Sequence, residues 1–116
     1  MTEDCLFCKI IAKEIPGEIL YQDERVTAFR DINPAAPGHI LIVPNKHISS
    51  MNEATTEDEA LLGYMQLTAQ KLAREEGIAE RGYRLVTNTG KEGGQVVYHL
   101  HLHLMVGKKL DVPLYQ

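Results

Sequence analysis

His99-Leu100-His101-Leu102-His103-Leu104 is a strict alternation of imidazole and leucine. In an extended chain successive side chains point to opposite faces, so the three histidines share one face and the three leucines the other. The leucine face must be core, and the histidine face must border something polar. Same-face Cα atoms sit roughly 6.6–6.8 Å apart, which lets two imidazoles reach one tetrahedral group between them. Solvated strand faces usually carry Thr, Lys, Glu, Arg or Ser, so this face is read as chemistry. One reading is metal: H-x-H plus a third histidine builds a catalytic zinc with an open position. No general-base carboxylate is evident beside the strand to help it. The other reading is nucleophilic: a neutral imidazole whose second ring nitrogen donates to a backbone carbonyl attacks phosphorus well. With an ordinary pKa near 6.5, most of it is neutral at pH 7.

Just upstream lies Asn88-Thr89-Gly90-Lys91-Glu92-Gly93-Gly94. Gly90, Gly93 and Gly94 allow backbone N–H groups to approach an oxyanion closely. That local cradle is needed because the chain as a whole is acidic. Its 116 residues carry a net charge of −4, so no broad basic surface exists for nucleic acid. The length suits one compact domain over residues 1–116. No run approaches the roughly 18 apolar residues that span a bilayer, and Met1-Thr2-Glu3-Asp4 leads into no apolar secretory segment. A cytoplasmic protein is expected.

Outward from this centre the elements follow from periodicity. Cys5 to Lys13 reads as a short helix through Leu6, Phe7, Ile10 and Ile11, ended by Ile15-Pro16-Gly17. Glu18 to Gln22 and Arg25 to Arg30 read as strands, with Val26, Ala28 and Arg30 on one face and Thr27, Phe29 and Asp31 on the other. Asn33 to Gly38 is a loop. His39 to Val43 is an apolar strand stopped by Pro44 and buried on both faces. Thr56-Glu57-Asp58-Glu59 fits a capping box, Thr56 at the N-cap and Glu59 at N3. It opens a helix to about Glu76 with the stripe Leu61, Leu62, Met65, Ala69 and Leu72, stopped by Gly77. Tyr83 to Thr87 is a strand and Gln95 to Val106 a last, long one. The fold class is α+β: an antiparallel sheet of about five strands with one long and one short helix.

Cys5 and Cys8 are the two cysteines, spaced C-x-x-C. A disulfide would close a tiny loop in a reducing compartment. A redox pair should follow a strand, and nothing before Cys5 is long enough to be one. Half of a zinc site needs two more ligands, and His39, His47, His99, His101 and His103 are available. Spacing alone leaves these readings open.

The triad stretch through Met105 resembles the H-φ-H-φ-H-φ-φ signature of the histidine triad (HIT) superfamily. The resemblance covers nearly the whole chain and points to the Hint branch of bacterial type. It extends to Phe7-Cys8-Lys9-Ile10-Ile11, Glu14-Ile15-Pro16, Ala28-Phe29-Arg30-Asp31-Ile32, Ala36-Pro37-Gly38-His39-Ile40-Leu41, Pro44-Asn45-Lys46-His47-Ile48 and Gly93-Gly94-Gln95-Val96-Val97-Tyr98. That branch comprises small homodimeric purine nucleoside phosphoramidate hydrolases. By resemblance His101 is the nucleophile that forms a nucleotidyl-histidine. The carbonyl of His99 orients its ring, and His103 and His39 are flanking imidazoles that contact phosphate and manage protons. Asn88 and the Gly93-Gly94 backbone bind phosphate, and Asp31 takes the ribose hydroxyls. Leu6, Phe7, Ile10, Phe29 and Ile32 line the base slot. Read by residue type alone, Asp31 starts a loop, Asn88 belongs to a turn, His39 is a core histidine, and Leu6, Phe7, Ile10 and Ile32 are core.

The resemblance also implies a structural zinc on Cys5, Cys8, His47 and His99, and no catalytic metal or organic cofactor. It implies a two-fold homodimer built on the Thr56–Glu76 helix and its neighbouring strand, with a purine nucleotide as partner and neither nucleic acid nor membrane. Three departures from the family pattern stand out. Val96 sits near the leaving group where several relatives are polar, Val106-Gly107 replaces a Gly-Gly, and the tail from Asp111 to Gln116 is distinctive. Competing functions are dinucleoside polyphosphate cleavage or nucleotidyl transfer, a nucleotide-binding scaffold with incidental turnover, and a hydrolase with zinc on the triad.

Overall fold

The structure, a computed structural model, describes residues 5–34 and 36–106. Met1 to Asp4, Ala35, Gly107 and the tail to Gln116 lie outside the described residues. Five strands form one sheet in the order β1-β2-β3-β5-β4: β1 Ile19–Gln22, β2 Val26–Arg30, β3 Gly38–Pro44, β4 Arg84–Val86 and β5 Leu102–Val106. Every neighbouring pair is antiparallel. The short helix α1 is Leu6–Ile11 and the long helix α2 is Glu59–Glu75. The expected α+β class is what the chain adopts.

The sheet has helices on both sides, and the alternation of each strand sorts residues between them. Val26, Ala28, Ile40, Ile42, Leu100, Leu102 and Leu104 face Met65, Ala69 and Leu72 of α2 in one core. Phe29, Leu41 and Val43 face Cys5, Phe7 and Ile10 of α1 in a second, smaller core. This accounts for the unbroken apolar run of β3, which is buried from His39 to Pro44.

Several boundaries differ from the sequence reading, each for a local reason. The capping box is formed by Thr55 and Asp58, one residue earlier than expected, and a 3-10 turn over Thr56–Asp58 precedes α2. Asp58 Oδ2 accepts from Thr55 N–H, while Oδ1 takes the Lys46 ammonium at 2.7 Å. Leu61 and Leu62 lie at the margin of the stripe, and the inner face is completed by Thr68 and Ala73. Gly77 has φ +76° just past the helix, as its stop position requires.

Pro44 belongs to β3 and pairs with Val26, and the β3–β5 ladder ends at Ile42↔Leu102. The last strand is therefore five residues long, not twelve. Proline offers no N–H to continue the ladder, and the Pro44 carbonyl is taken by the His99 ring at 2.7 Å. Leu100 N–H turns instead to Ile48 O at 2.7 Å.

Leu104, fully buried in the centre of the α2-facing core, tests this packing. Leu104→Ala should lower unfolding free energy by about 2–5 kcal/mol in urea titrations. A loss below about 1 kcal/mol would mean that this face is not the core.

Candidate active site and metal-binding cluster

The histidine face points toward α1. His103 lies on β5 opposite Leu41, and His39 lies on β3 opposite Met105, so the two rings are diagonal neighbours across one ladder. Their nitrogens meet, His39 Nε2 to His103 Nδ1, at 2.8 Å. The His101 and His103 ring centroids are 4.8 Å apart. His99 and His101 precede the ladder, His99 within a bend, yet both rings lie against Phe7 on this face while Leu100 packs into the opposite core.

His101 Nδ1–H donates to the carbonyl of His99 at 2.7 Å. That bond leaves Nε2 as the ring's lone-pair nitrogen. The ring is edge-on to Phe7, with centroids 5.1 Å apart, and Phe7 is edge-on to Phe29 at 5.3 Å. Burial lowers the pKa values of His101 and His39 and brings that of His103 down to about 4. For His103 the neighbouring imidazoles His101 and His39 add to the effect. At neutral pH these three rings carry no charge.

His101 and His103 open onto a cavity of about 380 Å³. Its walls include Leu6, Phe7, Ile10, Phe29, Asp31, Ile32, Asn88, Gly94 and Val96, so most of the residues read from sequence as nucleotide contacts share one concavity. Ile32 and Val96 are 81% and 86% exposed and form its rim, not a core. Ile15, Pro16, Gly17, Arg30, Asn33, Leu41 and Val97 also line it and have no nucleotide role in the sequence reading. Their signal was the turn after α1 and the strand ends, whose side-chain direction depends on tertiary packing.

Gly93 is not part of the cavity wall. A Cβ there would lie 2.2 Å from Thr89 O, so glycine is demanded by the turn itself. The Gly93 carbonyl accepts from Asn88 Nδ2 at 2.8 Å, Gly94 N–H donates to Lys91 O, and Gly94 has φ +87°. Gln95, given no role in the sequence reading, holds this turn in place. Its Oε1 accepts from Gly90 N–H, and its Nε2 donates to Ser49 O and Val97 O. Asp31 sits at the end of β2, with Oδ1 accepting from Asn33 N–H and Oδ2 3.6 Å from His39 Nε2.

Behind the cavity, Cys5, Cys8, His47 and His99 converge, their ligand atoms all within 4.8 Å of one another. His99 Nδ1 is 3.2 Å from Cys5 Sγ, 3.5 Å from Cys8 Sγ and 3.2 Å from His47 Nδ1, and Cys8 Sγ is 3.4 Å from His47 Nδ1. Tetrahedral coordination by bonds of about 2.3 Å to sulfur and 2.0–2.1 Å to nitrogen requires S···N edges of about 3.5 Å and N···N edges of about 3.3 Å. The cluster is therefore shaped to hold a metal ion. His99 Nε2–H donates to Pro44 O at 2.7 Å, which turns the Nδ1 lone pair into the cluster.

The HIT domain family model matches residues 12–110. The chain is 56% identical over 110 residues to the purine nucleoside phosphoramidase of Escherichia coli K12, covering 95% of this chain and 92% of that protein. It is 52% identical to an uncharacterized HIT-like protein of Synechococcus elongatus, covering 97% and 98% of the two chains. A HIT family hydrolase from Legionella pneumophila superposes with a TM-score of 0.92 at 49% identity, covering 95% of this chain and 98% of that one. With its histidine-bearing strand, its sheet and nearly its whole length matched in this way, the chain belongs to the HIT domain family.

Proposed function

We propose that this protein hydrolyses purine nucleoside 5′-phosphoramidates to the nucleoside monophosphate and the free amine, through a nucleotidyl intermediate on His101. The observation that carries the reading is the His101 Nδ1–H···O=C His99 bond at 2.7 Å on a ring that opens into the cavity. It fixes the tautomer whose Nε2 lone pair attacks. The 56% identity to a protein named purine nucleoside phosphoramidase supports the substrate class.

The base lies between Leu6, Phe7, Ile10, Phe29 and the exposed Ile32, and Asp31 accepts from the ribose hydroxyls. His101 Nε2 bonds to the α-phosphorus while the P–N bond to the amine breaks, and the amine departs with a proton taken from solvent. Water then attacks the same phosphorus, returns a proton to solvent, and the His101–P bond breaks. The neutral pair His39 and His103, with Asn88 and Gly94, surrounds the phosphoryl oxygens. Groups fixed before charge develops need no reorganisation, which is where such sites gain most of their rate. No metal is needed for either step in this scheme.

Zinc is proposed for the Cys5–Cys8–His47–His99 cluster. Four protein ligands close the shell, which suits a structural ion. When bound, it clamps the start of α1 to the sheet and fixes the His99 ring, and with it the carbonyl that orients His101. The protein is further proposed to be one domain over residues 1–116, to work in the cytoplasm and to form a two-fold homodimer through α2, where Leu67 is 60% exposed. Among the described residues no helix is long and apolar enough to cross a membrane.

His101→Ala should reduce phosphoramidate turnover by at least about a thousandfold, the scale on which loss of a nucleophile is felt, with nucleoside monophosphate affinity within a few-fold of native. Phosphorus NMR of the native enzyme with an adenosine phosphoramidate should reveal a transient P–N(His) adduct. Near-native turnover of the variant would refute the assignment, and faster cleavage of dinucleoside polyphosphates would shift it to that branch.

The reaction requires neutral His101. Because burial lowers its pKa below the usual 6.5, kcat/KM should stay level from pH 8 through 6.5 and fall only at more acid pH. A fall centred at or above 6.5 would contradict a buried nucleophile.

Elemental analysis should find one zinc per chain. Cys8→Ala should lose it and lower Tm by several degrees, the shift expected for a domain of this size losing 1 kcal/mol or more. Full metal retention in that variant would remove Cys8 from the ligand set.

A further inference from the structure

We propose that Asp31, His39 and His103 form a second metal site, which takes a divalent transition ion such as Zn²⁺, Ni²⁺ or Cu²⁺ and thereby shuts the nucleotide cavity. One ligand atom from each residue lies within 4.8 Å of the others. His39 Nε2 is 2.8 Å from His103 Nδ1 and 3.6 Å from Asp31 Oδ2. The three residues stand on or at the end of β2, β3 and β5, adjacent strands at the middle of the sheet. The ligands are thus held by the ladder and not by mobile loops.

Two imidazoles and one carboxylate form the set that grips a transition ion from one side and leaves its other positions open. Here those positions face the cavity, because Asp31 and His103 line it. Tetrahedral ligation needs an N···N edge of about 3.3 Å, so the two rings need to part by only about half an ångström. No proton need leave the protein: the one shared between the rings moves to the far nitrogen of the ring that carries it, and each ring keeps one N–H. Imidazole ligands favour zinc, nickel and copper over magnesium or calcium, which take oxygen.

This site differs in kind from the sulfur-bearing cluster behind it. Thiolates hold a resident ion in a closed shell, whereas the open N₂O site holds its ion in competition with nucleotide. The consequence for turnover rests on the function proposed above, since the ion would occupy Asp31 and the flanking imidazoles. Micromolar free zinc should then slow hydrolysis in competition with the phosphoramidate.

The test is a titration of native protein, its Cys5/Cys8/His47/His99 cluster already filled with zinc, with Co²⁺ followed by calorimetry and absorption. One further equivalent per chain is expected, with d–d bands but no thiolate-to-cobalt charge transfer. Asp31→Asn should weaken it at least tenfold while leaving the resident zinc, and His39→Gln should abolish it. Adenosine, which carries no phosphate to chelate the ion, should weaken it in competition. The proposal is overturned if no further equivalent binds, or if one binds and survives both substitutions. If Asp31→Asn removes the ion but adenosine does not disturb it, the metal site stands, while its closing of the cavity and the ribose role of Asp31 both fall.

Discussion

The bond from His101 Nδ1 to the carbonyl of His99 requires a backbone that does not move, and much of the surrounding structure serves that requirement. His99 is completely buried. Its Nε2–H is tied to Pro44 O and its Nδ1 faces two sulfurs and a third nitrogen. The next residue, Leu100, bonds through its N–H to Ile48 O and puts its side chain into the α2-facing core. The carbonyl that aims His101 is therefore anchored by its own ring, by the following peptide and by a leucine on the opposite face. A peptide held only by a ladder would have one of these restraints.

The alternation that announced this arrangement proved more general than the strand it suggested. The two-face reading of residues 99–104 holds by packing, with Leu100, Leu102 and Leu104 in one core and the three imidazoles on the other face, although only residues 102–106 pair as a strand and His99 lies in a bend. The strand's true length was hidden because it depends on a partner: Pro44 ends the β3 side of the ladder, and a proline far along the chain says nothing about which strand it will face. The capping box was missed by one residue for a similar reason. Thr55 and Thr56 each precede an acidic residue at the right spacing, and the choice of Thr55 is settled by Lys46 reaching Asp58 across the fold. Gly93 illustrates a different limit. Its glycine reads as close approach of the backbone to an anion, whereas the close approach in the structure is to the Thr89 carbonyl within the turn, and no local pattern separates a backbone neighbour from a ligand.

Cavity residues were legible in proportion to how far their roles depend on type. Imidazoles, Asp31, Asn88 and the aromatic Phe7 and Phe29 have chemistry that sequence displays. Pro16, Gly17 and Val97 contribute only surface, and position alone brings them to the wall. Ile32 and Val96 lie between these cases. Ile32 reads as core by residue type and Val96 as a neighbour of the leaving group by resemblance, and both are exposed at the cavity rim.

An acidic chain has two ways to accommodate an anionic substrate: import positive charge into the site, or remove the cost of negative charge by pre-aligned neutral dipoles. On the function proposed above, this cavity takes the second course. Burial keeps His39, His101 and His103 below their ordinary pKa, and Arg30, which reaches the cavity wall, is held by Glu18 and Glu76. Neutral imidazoles retain both a lone pair and an N–H, so one ring type supplies nucleophile, donor and acceptor. A protonated ring would bind the anion more strongly but could not attack it. In the proposed reaction the same burial that sacrifices electrostatic attraction preserves nucleophilicity, and Phe7, edge-on to His101 with centroids 5.1 Å apart, is part of that burial.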